Sequence, residues 1–441
     1  MYLSIFATQF LNMLQRAPIV LILCVFGLGI SGLQAQITGT QQIIGQTDDN
    51  TIKTITTAVP FLIIGPDTRS GAMGDAGVAI SPDANSIHWN PAKLAFAEKD
   101  MELSLSYSPW LRKLVRDMNL AYLSGYKKIG DNQAVGAALR YFSLGSIQFT
   151  DNQGTNLLLF KPTEFSIDGA YSIKLSERFS GGLGARFIYS NLTGGVSNTG
   201  GDSKPGSAFA VDVAGYYTND DVRIGNFDAI ISAGFNISNI GSKMSYSSAA
   251  QRDFIPVNLR IGPAVTLLLD EFNSLTFTVD ANKLLVPSIP VYASDSSGFI
   301  TDANGNLVVA SGRDNNIGVA SGIFGSFTDA PGNVTQYADG SVDIEKGSVF
   351  REEMQEVNIA TGFEYWYADQ FALRGGYFYE NPVKGNRQFF TLGAGVKYNI
   401  FSFDFSYLIA AQQRNPLANT LRFTLKLNFA EARRAAKYEE N

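Results

Sequence analysis

The side chains best equipped for chemistry are few in this chain of 441 residues, and each sits in a poor setting for it. His88 is the only histidine and stands beside Trp89 in a stretch dense in Gly, Pro and Asp. A Ser-His-Asp hydrolase holds its imidazole between a hydroxyl and a carboxylate at an accessible surface. A lone histidine among turn residues fits a packed, hydrogen-bonded role instead. The only cysteine, Cys24, lies inside the apolar run 17–30, and Leu23 before it is not the small residue a lipoprotein site asks for. Once that run is removed, no thiol remains for a disulfide, a thiolate metal site or a nucleophile. Gly181-Gly-Leu-Gly184 is followed by no helix, so it is not a dinucleotide loop. Asp302-Ala-Asn-Gly-Asn306 opens like a calcium loop, but its glycine is misplaced and its twelfth position is Arg313 rather than Glu. The sequence predicts no enzyme, no cofactor and no metal site.

What the chain offers instead is periodicity. In Asn419–Phe429, Leu421, Phe423, Leu425, Leu427 and Phe429 fall on one face of a strand, and Arg422, Thr424, Lys426 and Asn428 on the other. An apolar face opposite a charged one suits a wall between lipid and a watery lumen, and a final aromatic residue suits the last strand of an outer-membrane barrel. Comparable alternation predicts strands at 101–108, 117–128, 133–143, 163–175, 178–190, 207–217, 227–237, 254–269, 272–283, 356–366, 370–380, 386–398, 401–410 and 419–429. Each is close to the ~9–11 residues that a tilted strand needs to cross a bilayer.

The connections give an independent test. Those near 129–132, 176–177, 270–271, 367–369 and 399–400 are short, and 218–226 is middling. The alternate set, 109–116, 144–162, 191–206, 238–253, 284–355, 381–385 and 411–418, is mostly long. Short periplasmic turns, longer extracellular loops and an even strand number are the habit of bacterial barrels. The expected fold is therefore all-β: a 14-stranded antiparallel transmembrane barrel over 101–429, with both termini periplasmic.

The ends add context. Residues 1–35 read as a secretory signal, with Arg16 before the apolar run and cleavage after Ala35; Met13 is an alternative start. Residues 36–58 are polar, and Ala430–Asn441 form a charged periplasmic tail. The 31 Phe and 19 Tyr suit lipid contact and interfacial girdles. A net charge of −6 argues against a nucleic-acid partner.

Residues 59–100, ahead of the first strand, are expected to plug the lumen, because a barrel this wide must be filled or conduct. Gly71, Gly74 and Gly77 allow close backbone approach to a wall, and the Asn90-Pro91 pair favours a turn. Arg69 and Asp75 are expected to pair with lumenal charges such as Asp280, Glu364 or Arg374.

The Pro-Asp-x-Arg…Met-Gly-Asp…Gly-Val-Ala…Asn-Pro-Ala pattern of residues 66–92 resembles the start of the PorV (LptO) family, relatives of the FadL-type channels. The likeness continues through Ser108-Pro-Trp-Leu-Arg112, Phe235-Asn-Ile-Ser-Asn-Ile-Gly241, Val279–Val286, Gly322–Pro331 and Gly385-Asn-Arg-Gln-Phe-Phe390. The resemblance implies an outer-membrane component of the type IX secretion system of Bacteroidetes. Such a protein binds the C-terminal signal domain of secreted cargo at the cell surface and shuttles it from the translocon to the attachment components. The alternative is a FadL-like channel for hydrophobic small molecules. The 284–355 connection bears on both, since it is far longer than a hairpin needs and carries Leu284, Leu285, Val286, Ile289, Val291, Tyr292, Ile323, Phe324 and Phe327. Ile323, Phe324 and Phe327 are the expected cargo anchors, with Asp329 in their polar rim.

Overall fold

A computed structural model describes residues 53–429, apart from 112–114, 116, 151–152, 154–155, 193, 195–203, 247–251, 296–297, 338–340 and 412–419. The expected signal segment, most of 36–58 and the tail 430–441 lie outside the described residues.

Fourteen antiparallel strands close into one barrel. They are β1 (Met101–Pro109), β2 (Asn119–Lys128), β3 (Gln133–Ser143), β4 (Thr163–Lys174), β5 (Phe179–Asn191), β6 (Gly206–Ile224) and β7 (Phe227–Gly241). The circuit continues through β8 (Asn258–Leu268), β9 (Asn273–Leu284), β10 (Asn358–Tyr367), β11 (Phe371–Tyr379), β12 (Gln388–Tyr398), β13 (Phe401–Ala410) and β14 (Leu421–Asn428). β14 closes on β1 in the register Glu102↔Asn428 to Tyr107↔Phe423. Closure matters because an open sheet edge cannot be satisfied in hydrocarbon.

The two faces of the wall separate as the alternation requires. Leu425 is 40% exposed on the outside, and Thr424 is 1% exposed on the lumenal side. Phe423 packs against the rings of Phe403 and Phe405 on the outer surface. Leu427 shares that face, and Phe429 follows directly on the strand's end.

One expected turn is different. β6 runs on to Ile224 and turns at Gly225 (φ 60°), so 218–226 is mostly strand rather than connection. A register shift between Asn219 and Val222 lets the ladder with β7 continue there.

The segment before β1 crosses the lumen from one end to the other. The Lys53 N–H donates to the Val383 carbonyl (2.8 Å) and its Nζ to the Gly332 carbonyl (2.6 Å), both in connections at the end that carries the long loops. Lys53 therefore lies at the long-loop end, opposite to the end expected of the amino-terminal region. Phe429 lies with the short turns, since the Asn428 N–H donates to the Ile400 carbonyl (2.9 Å). Between Lys53 and β1 lie short helices α1 (Thr68–Gly71) and α2 (Ser86–Trp89) and two 3-10 turns, Pro60–Ile63 and Pro91–Phe96. The 284–355 connection is itself folded. It holds α3 (Val319–Gly325), α4 (Ser348–Gln355) and three small two-stranded ladders.

Candidate functional site

Among the described residues, buried polar groups gather in the lumen, around residues 59–97 and on the wall strands that carry Asp168, Arg186, Asp212 and Asn239, and at the base of the long loop.

In the lumen, Arg69 projects from α1, whose amino end is capped by Asp67 accepting the Ser70 N–H at 3.0 Å. Its guanidinium meets Glu364 of β10 in a two-pronged pair, with Nη2–Oε1 2.6 Å and Nε–Oε2 2.9 Å. Glu364 also accepts from Arg374 of β11 (2.6 Å), and Arg374 donates to Asp404 of β13 (2.7 Å). Asp404 faces Lys426 of β14 (3.1 Å), Lys426 faces Asp83 (3.7 Å), and Asp83 returns to Arg69 (3.5 Å). Six charges of alternating sign thus form a closed, neutral ring that joins the lumenal segment to four wall strands. Buried charges are tolerable only when paired in this way.

Other expected pairs are redistributed. Asp75 accepts from Arg422 at 2.5 Å, and not from Arg374. Arg422 fits because β14 turns its even-numbered side chains inward. Asp280 of β9, which faces the segment, accepts the N–H groups of Gly77 (2.7 Å) and Val78 (2.9 Å). Gly74 has φ +70°, and a Cβ there would meet the Tyr377 backbone at 2.6 Å, so this approach requires glycine. The Asn90 Nδ2 donates to the Val78 and Gly215 carbonyls (3.0 Å each), and its Oδ1 accepts the Ala92 N–H (3.0 Å). Pro91 then starts the 3-10 turn, where no N–H is required.

Several partners were not singled out by sequence. Arg140 of β3 donates to the Phe61 (3.1 Å) and Leu62 (2.7 Å) carbonyls and to His88 Nδ1 (2.7 Å). A guanidinium can only donate, so His88 Nδ1 accepts and the ring is neutral. The Trp89 indole donates to Asp67 (2.5 Å) and lies under the Arg260 guanidinium at 4.3 Å. Lys93 Nζ donates to the Gly77 carbonyl (2.7 Å). His88 is thus held by packing and hydrogen bonding, as its setting predicts.

At the loop base, α4 supplies Glu352 and Glu353, and Glu356 follows it. Lys283 reaches Glu353 (3.0 Å) and Glu356 (2.6 Å), Lys384 reaches Glu352 (2.7 Å) and Glu356 (2.8 Å), and Lys53 reaches Glu352 (2.9 Å). Burial alone would push the Glu356 carboxyl up, but Lys283 and Lys384 more than offset it and hold it below the ordinary range. Asp329 lies beside this cluster without a lysine of its own. Burial, then the carboxylates of Glu353 and Glu356, push it up to about 6.

The expected cargo anchors divide. Phe324 on α3 is 79% exposed, whereas Ile323 packs inward with Phe254, Val257, Leu285 and Val286. Phe327 turns toward the outside of the barrel wall, in a cleft with Leu259 and Ile261. Asp329 is 1% exposed and is no rim charge; it sits under the Ser288 N–H (3.4 Å). The signal for the loop base was present in sequence: Lys283 continues the outward-facing series of Phe277 and Val279, where a lone charge demands a cover.

Comparison with known proteins completes the picture. The barrel is similar to the P. putida toluene transporter TodX, at 11% identity over 83% of this chain and 99% of that chain, TM-score 0.45. It is similar to the Ralstonia pickettii toluene transporter TbuX at 12% identity over 83% and 97%, TM-score 0.42. A Pseudomonas aeruginosa FadL homologue matches at 11% identity over 85% and 99%, TM-score 0.39. No curated protein matches the sequence. The family model described as type IX secretion system protein PorV matches residues 46–291, more than half of the chain. A closed fourteen-strand barrel with that match is an outer-membrane protein, and the chain belongs to the PorV family of the type IX secretion system.

Proposed function

We propose that this protein holds secreted proteins at the cell surface through their C-terminal signal domain and hands them from the translocon to the attachment components. One observation carries the reading beyond family membership: the lumen is occupied along its length by a segment bonded to most of the wall. A folded domain has no passage through it, so cargo is met at the outer rim. Residues 59–100 act as the plug that keeps it so. At that rim the long loop is a folded surface, and Phe324 and Phe299 stand 79% and 69% exposed on it. Exposed aromatic side chains on an ordered scaffold are the usual anchors of a protein interface. Ile323 and Asp329 serve it indirectly, by fixing α3 and the strand of chain that follows.

The test is co-purification from native membranes with Phe324→Asp and Phe299→Asp together. The barrel should remain folded and heat-modifiable, while secreted proteins no longer co-purify. Retained cargo with lost uptake of fatty acids would replace this reading by the channel one.

A further inference from the structure

Outside the lumen, the long loop and the barrel wall enclose a second feature whose occupant follows from where it lies. Phe277 and Val279 of β9 point away from the lumen and are exposed, and Lys283 belongs to the same outward series. Lys283 is nevertheless buried, because Glu353 and Glu356 close over it at 3.0 and 2.6 Å. α4 therefore packs on the outer side of the wall, beside the surface that faces lipid. Between them is an open cleft of about 250 Å³. Leu259, Ile261 and Ala281 form its wall side, and Phe327, Phe350 and Met354 its loop side. Phe350 and Met354, one helical turn apart, are 71% and 53% exposed, and Ile261 is 54% exposed.

We propose that this cleft seats an acyl chain of a lipid from the outer leaflet. Its wall side is continuous with the lipid-facing band of the barrel, so lipid reaches it laterally without leaving the membrane. The long loops of bacterial barrels are extracellular, which fixes the leaflet. Most of its lining is apolar, with Asn282, Lys283 and Glu353 the polar exceptions, so water in it finds few hydrogen-bond partners. A lipid tail is as apolar as leucine, so its hold comes from packing against Phe327, Phe350 and Met354 rather than from a hydrophobic transfer. The paired Lys283 and Glu353 at the cleft's edge mark the level at which the apolar chain gives way to polar groups.

A photoreactive Phe350→p-benzoylphenylalanine variant, irradiated in intact outer membranes, reads the occupant directly. The expected product is this chain with the mass gain of a lipid. A crosslink to another protein would overturn the proposal in favour of a protein partner, and irradiation without any adduct would show a cleft open to solvent. Phe350→Trp in vesicles of phosphatidylcholine brominated on its acyl chains gives a second measure. The added tryptophan emission should be largely lost there. Quenching by aqueous acrylamide with none by the brominated lipid would refute the site even where the crosslinker disturbs folding.

Discussion

Breaking the lumenal ring should cost the barrel much of its stability without opening it. Glu364→Gln removes the carboxylate that holds both Arg69 and Arg374, and leaves the ring with one surplus positive charge. Arg69→Met leaves one surplus negative charge. Each breaks a buried pair while stranding a partner, a loss of about 3–5 kcal/mol. The double variant removes one charge of each sign, and Arg374, Asp404, Lys426 and Asp83 stay paired. Its loss should therefore fall short of the sum of the singles by about 1–3 kcal/mol, the coupling of contacting residues. Urea unfolding in detergent micelles, followed by heat-modifiability, measures all three. Conductance in planar bilayers should stay at the wild-type level in every variant, because Asp280, Arg140 and Thr424 still grip the segment and its Asn90 still holds the Gly215 carbonyl. Strictly additive losses would refute the ring as an electrostatic unit. Open channels from Glu364→Gln alone would show that one pair, and not the distributed contacts, keeps the lumen closed.

Deleting residues 59–92 should produce steady conductance in planar bilayers, where the intact protein gives none; a porin-like current from the intact protein would contradict this. Leu425→Arg places a charge on the lipid face near the middle of β14 and should cost ~2–4 kcal/mol of folded barrel. Thr424→Val should also lower stability, by about 1–3 kcal/mol, because Thr424 accepts the buried Thr68 N–H at 3.0 Å. Barrel yields after refolding check both, and an unaffected Leu425→Arg would invert the faces. The loop base should respond to pH through Asp329, whose carboxyl sits at about 6 in the fold. Because that value is raised, the folded loop favours the protonated form, and its stabilisation is lost as pH rises through about 6. Amide exchange of α4, corrected for intrinsic rates, should be slower at about pH 5 than at about pH 8, and Asp329→Asn should remove the difference. An unchanged difference in the variant would place the pH response elsewhere.

The wall of this protein is legible in its sequence because each strand repeats one local rule. Leu421, Phe423 and Leu425 against Arg422, Thr424 and Lys426 need only the period of a strand to be sorted. The continuation of β6 past Tyr217 was not legible, since polar residues there look like a turn and only the ladder with β7 extends them. The lumenal contacts are harder for another reason. Arg69 finds Glu364 across 295 residues of sequence, and nothing local distinguishes Glu364 from the other inward acids. Charge alone offers Asp280, Glu364 and Arg374 together to Arg69 and Asp75; Glu364 takes Arg69, while Asp75 goes to Arg422, which only the closed barrel brings to it.

The long loop makes the same point about apolar residues. Ile323, Phe324 and Phe327 lie within five residues on and just after one short helix, and their fates differ. Ile323 enters the loop's core, Phe324 faces open solvent, and Phe327 looks onto the outer wall. Composition treats them alike, because core, partner and lipid all reward the same removal of apolar surface from water. What separates them is the position of α4, and that is set by polar groups. Lys283 points out of the wall, Glu353 and Glu356 must come to it, and the helix that carries Glu353 is drawn down beside the membrane. With α4 so placed, Phe327 and Phe350 are turned toward the barrel's outer surface, and Phe324 on α3 and Phe299 are left to face outward. A few buried ion pairs thus decide which hydrophobic residues of the loop are available to a protein partner and which are given to the bilayer.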